Sequence, residues 1–127
     1  MNTTKWRPRD PERVLHMLQT ARLMEQFLRG NMMADLVFDK LLQSGLERQF
    51  ETLGEAATHV SAETQALWTS INCQVTRGFC ILISHEYFWV DLTRLWQISQ
   101  DTIPGLRLVL EDLFTDLNRQ FGPAARV

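Results

Sequence analysis

A chain of 127 residues has room for one domain and one core, and buries roughly two thirds of its unfolded surface when it folds. Its 13 basic and 15 acidic side chains leave a formal charge of −2, which excludes a protein held to nucleic acid by a broad basic face, so any RNA contact must be local, in a cleft. The cysteines Cys73 and Cys80 lie about 10 Å apart along one predicted helix, beyond disulfide reach, and with neither a leader-like segment nor a long apolar run the chain is expected in the cytoplasm with reduced thiols and no membrane contact.

Residues 1–9 are polar and broken by Pro8, which makes them a loose arm anchored by Trp6. Asp10-Pro11-Glu12 starts a helix: Asp10 can accept a free backbone N–H, Pro11 lacks a donor the first turn would waste, and Glu12 suits the positive dipole end. Val14, Met17, Leu18, Ala21, Met24 and Leu28 then share one face, and Gly30-Asn31 stops the run. Asp35 is expected to cap a second helix with Phe38, Leu42, Leu46, Phe50, Leu53, Ala57 and Val60 facing inward. Ser61 ends it and caps a short helix through Trp68. A connector at 70–73 leads to a helix over about Gln74 to Tyr87, burying Val75, Phe79, Leu82 and Ile83. The last helix runs from Val90 to Phe121 with Leu92, Leu95, Trp96, Ser99, Ile103, Leu106, Leu110, Leu113 and Leu117 in a heptad-like seam, bent at Pro104. No segment alternates with period two, so the expected fold is all-α. It is an antiparallel four-helix bundle with one extra short helix, a single domain over 10–121 followed by a tail at 122–127.

The run Gly78-Phe79-Cys80-Ile81-Leu82-Ile83-Ser84-His85-Glu86-Tyr87-Phe88-Trp89-Val90-Asp91 closes the fourth helix on a His-Glu-Tyr that its packing does not require. It resembles the signature of the HepT-like ribonucleases of the HEPN superfamily. Gln49-Phe50-Glu51-Thr52-Leu53-Gly54-Glu55-Ala56-Ala57 resembles the mid-chain Gly-Glu-Ala helix of that family, and Val90 to Trp96 followed by Asp101-Thr102-Ile103-Pro104 its last helix. The likeness runs from about Arg9 to Phe114; only the His-x-Tyr with its flanks and the Gly-Glu-Ala run are specific.

The resemblance implies a metal-independent endoribonuclease toxin acting on single-stranded RNA, without a cofactor. His85 would act as its acid–base group on the ribose 2′-hydroxyl or the leaving oxygen. The family places an Arg five residues before the His, commonly followed by Asn; this chain has Cys80 and Ile81 there. A thiol supplies none of the charge-assisted hydrogen bonds a guanidinium gives a phosphate. Arg77 is the nearest substitute, about 80° around and 12 Å along a regular helix from His85. Tyr87 matches the tyrosine that accepts adenylyl groups from the cognate nucleotidyltransferase antitoxin, MntA.

Read as ordinary side chains, His85 is a histidine at a helix end, Tyr87 an interfacial phenol and Cys80 an inert packed thiol. Arg48, Glu51 and Glu55 form either an intrahelical ion-pair ladder or, for Arg48 and Glu51, a lining to the cleft beside His85. His16 and His59, 43 positions apart without ligands at metal spacing, suggest no metal site. The seam and the aromatics Phe88 and Trp89 suggest a homodimer. Three functions fit: the ribonuclease toxin; a member that has lost its chemistry and serves as a dimeric partner of a nucleotidyltransferase antitoxin; and a helical nucleotide-binding module with bases stacked on Trp68 or Trp89.

Overall fold

The computed structural model describes residues 9–67 and 92–122, which form helices and no strand. Helix α1 (Asp10–Leu28) carries Pro11 in its first turn and buries Val14, Met17, Leu18, Ala21, Met24 and Leu28, the face expected from their spacing. It is stopped where Gly30 takes a left-handed φ of 81° and the Asn31 side chain donates to the Phe27 carbonyl at 3.2 Å. Its N-cap is Arg9, not Asp10; the Asp10 carboxylate leaves its own helix and serves the start of another.

The single helix expected after Asp35 is two. Helix α2 (Met33–Phe38) has Asp35 in its first turn, where the carboxylate accepts from the Met32 N–H at 2.6 Å, and helix α3 (Lys40–Thr58) follows after one extended residue, Asp39. Asp39 breaks the run because its carboxylate takes the N–H groups of Leu41 and Leu42 at 3.0 and 3.1 Å, replacing the helical bonds those donors would otherwise make. Gln43 closes the other side of the break by donating to the carbonyls of Leu36 and Val37 at 2.9 and 3.0 Å. One expected core residue is lost to this break: Phe38 is 87% exposed. The rest of the α3 face, Leu42, Leu46, Phe50, Leu53 and Ala57, is buried, as is Val60 beyond its end.

Helix α4 (Ala62–Leu67) starts as expected at Ser61, whose hydroxyl accepts from the Thr64 N–H at 3.2 Å. The last helix is interrupted too. Helix α5 (Leu92–Asp101) and helix α6 (Ile103–Phe121) meet at Thr102, two residues before Pro104. The hydrogen bonds from Thr102 N to Ile98 O and from Leu106 N to Thr102 O, 2.9 and 3.0 Å, carry the ladder across, so the proline perturbs one turn without changing the seam. Leu95, Ser99, Ile103, Leu110, Leu113 and Leu117 are buried along it.

Helix α1 lies between α3 and α6 and packs most extensively on both. Side-chain bonds fix the directions: Asp10 reaches Ser61 just past the end of α3, while Arg9 donates to the Phe121 carbonyl at 2.9 Å and Arg107 near the start of α6 pairs with Glu25 near the end of α1. Both flanking helices are therefore antiparallel to α1. Gly45 permits the close approach of α3, since a Cβ there would sit 2.9 Å from Cε1 of Phe27 and closer still to the ring tip. The predicted helix over 74–87 lies outside the described residues. None of the described helices is long and apolar enough to cross a membrane.

Candidate functional site

Four of the residues singled out by sequence, Arg77, Cys80, His85 and Tyr87, lie outside the described residues, as do Trp68, Phe88 and Trp89. Arg48 and Glu51 stand on the outer part of α3. Their side chains pair at 3.5 Å across one turn, so the first rung of the expected ladder forms; exposed pairs of this kind contribute at most about 1 kcal/mol. Burial, reinforced by the charge of Glu51, pushes the Glu47 carboxyl above its ordinary range.

Because α1 and α3 run antiparallel, the first turns of one meet the last turns of the other. Between them is a cleft of about 580 Å³, lined by Glu12, Arg13 and His16 from α1 and by Arg48, Thr52, Glu55, Ala56 and His59 from the opposite side. The α3 positions 48, 52, 55 and 56, with 59 at its C-cap, follow steps of three and four, hence one helix face, and the small Ala56 leaves the space open. His16 and His59, which sequence spacing gave no reason to join, line the same cleft; Arg48 lines it and Glu51 does not. The signal was present in the expected antiparallel order, which sets 12–16 against 52–59, but neither helix shows it alone.

Glu12 is the unusual member. It is 2% exposed, its Oε1 accepts from Arg9 Nε at 3.1 Å, and its Oε2 has no hydrogen-bond partner among the described residues. A buried acceptor left unsatisfied costs about 1–3 kcal/mol. The end of the cleft is clamped. Arg13 donates to the His59 carbonyl, and the Asp10 carboxylate accepts from the Ser61 N–H at 3.0 Å and from the hydroxyls of Ser61 and Thr64. Burial alone would raise the Asp10 pKa, but the hydrogen bonds from Ser61 and Thr64, with the charge of Arg13, outweigh it and hold the carboxyl below its ordinary range. Among the described residues no group of three or more His, Cys, Asp or Glu could hold a metal ion.

The site thus offers acceptors, guanidinium groups and imidazoles around one half-open space. A family model described as "Ribonuclease HepT-like" matches residues 17–113. Among curated relatives, "Probable ribonuclease HepT" of Thermococcus cleftensis is 28% identical over 95 residues, covering 75% of this chain and 86% of that protein. "Gamma-glutamylcyclotransferase and putative RNase" of Methanocaldococcus jannaschii is 24% identical over 110 residues; the match covers 84% of this chain and half of that longer relative. No solved structure matches.

Proposed function

The chain belongs to the HepT-like ribonuclease family, and from that membership we propose that it is a metal-independent endoribonuclease on single-stranded RNA and the toxin of a toxin–antitoxin pair. The observation that supports this reading is that the family match covers residues 17–113, a range that includes the His-Glu-Tyr segment of His85 and Tyr87. In this reading His85 takes the proton from a ribose 2′-hydroxyl, the freed oxygen attacks the adjacent phosphorus to form a 2′,3′-cyclic phosphate, and the departing 5′-oxygen takes a proton back from the imidazolium, directly or through water. The charge that develops on the phosphate lacks its usual cation, because Cys80 stands at the Arg position. The native rate is accordingly low. Tyr87 is the site at which an MntA-like nucleotidyltransferase antitoxin adds adenylyl groups, whose negative charge repels an incoming RNA backbone. The working unit is a homodimer.

Cys80 and Ile81 also favour a second reading, in which the chemistry is gone and the chain acts as a dimeric binding partner of the antitoxin. One assay separates the two. Purified protein incubated with single-stranded RNA in the presence of EDTA is expected to cleave slowly, to lose cleavage in His85→Ala, and to gain roughly 100-fold in Cys80→Arg with Ile81→Asn, the worth of one such stabiliser. If Arg77 has taken over the phosphate, Arg77→Ala costs as much as His85→Ala. Native protein that cleaves nothing, with no gain in the double variant, leaves the partner reading standing.

A further inference from the structure

The α1/α3 cleft has an unmet chemical demand. Glu12 Oε2 lies in a side chain that is 2% exposed and has no partner among the described residues, while Oε1 is already held by Arg9. With the charge of the carboxylate balanced by that guanidinium, what is missing is a neutral hydrogen-bond donor; a second cation would leave an excess positive charge in a poorly solvated place. The terminal torsion of Glu is broad, so the carboxylate can turn Oε2 towards a donor entering the cleft.

The rest of the lining narrows the donor's identity. The volume of about 580 Å³ falls in the range of small-molecule sites. His16 and His59 bring two imidazole rings, a type of surface on which unstacked bases are held. At the rim, Arg48 is exposed and its 3.5 Å pairing with Glu51 is weak enough to yield to a phosphate. A carboxylate facing an exocyclic amino group is the pairing by which Glu distinguishes cytosine from a keto base. We infer that this cleft receives one amino-bearing base of single-stranded RNA, with Glu12 accepting from the exocyclic amino group and Arg48 at the flanking phosphate. This rests on the ribonuclease reading for its ligand class but assigns base selection to residues of α1 and α3 that the reading gives no role. It also fits an acidic chain, whose contact with RNA must be confined to a pocket.

Cytidine and uridine 5′-monophosphates differ at the group in question, so ¹⁵N–¹H spectra of the full chain titrated with each provide the test. Neither nucleotide contains a scissile internucleotide bond, so the result is independent of whether the protein cleaves RNA. Cytidine monophosphate is expected to shift resonances of residues 12–16 and 48–59 and to bind about 10-fold tighter than uridine monophosphate. Glu12→Gln, whose amide can serve either base, should bring the ratio close to one. Arg48→Ala, on the exposed face of α3 and therefore no threat to folding, should weaken both nucleotides alike. Equal affinity of the native protein for the two, shifts confined elsewhere, or no binding at millimolar concentration overturns the assignment. Shifts of the same residues by a trilysine peptide but not by cytidine monophosphate would assign the cleft to a cationic protein segment instead. Brisk RNA cleavage without this preference would remove the base site and leave the ribonuclease standing.

Discussion

Asp10 shows how one side chain can serve an element far from its own. Its carboxylate holds the start of α4 through Ser61 and Thr64, and those bonds keep its pKa below the ordinary 3.8. A carboxyl that titrates lower in the folded than in the unfolded state stabilises the fold above its unfolded pKa, and the contribution disappears as pH falls through the folded value. Asp10→Asn is therefore expected to cost about 1–2 kcal/mol at pH 7 and less at an acidic pH below the folded value, where the native carboxyl is itself protonated. Urea denaturation of both proteins at the two pH values measures the difference; an equal cost at both would show that the carboxylate charge contributes nothing. Local spacing points Asp10 to a different task, capping its own helix, because its true partners are 51 and 54 positions away. Gly45 is similar: nothing within its own helix marks it, and its requirement comes from the Phe27 ring on a neighbouring helix.

At the scale of elements, apolar spacing located every long described helix, and it failed only where a polar side chain overrode it. Leu36 is buried and Phe38 exposed within the short helix that ends at Asp39, an interruption that periodicity alone does not register, because the side chain of Asp39 and not the apolar pattern decides where α3 begins. Pro104 marked a disturbance of the last helix correctly, but the irregular residue is Thr102, since a proline disrupts the turn before it. Removing the cap with Asp39→Ala should lower stability by about 1 kcal/mol, read as a lower urea midpoint with an unchanged slope. A change of slope instead would mean that α2 and α3 had joined and altered how much surface the native state buries. The cleft between α1 and α3 was not legible: Arg48 was singled out for a cleft beside His85, which lies outside the described residues, and Glu12, His16 and His59 were given no part in a site, because a site built across two helices has no signature in either.

For the molecule as a whole, much of the seam on α5 and α6 is already buried within the chain, so it cannot also be the main surface between two copies. A homodimer must be held by other residues. Light scattering at micromolar concentration should give about 30 kDa, twice the 14.8 kDa of one chain, and a stable monomer would remove the dimer from the proposal. The central place of α1 has a further consequence, for the order of events during synthesis. Its contacts with the α3 and α4 side close over separations such as 51 residues, whereas those with α6 extend to 112. The difference in loop-closure entropy is only about 0.7 kcal/mol, so equilibrium hardly distinguishes the two. Time does: at roughly 5–20 residues per second, the α1–α3 pair is complete several seconds before the last turn of α6 leaves the ribosome. During that interval the first helix has one apolar flank sealed and the other open, which makes it the segment a chaperone meets on the nascent chain.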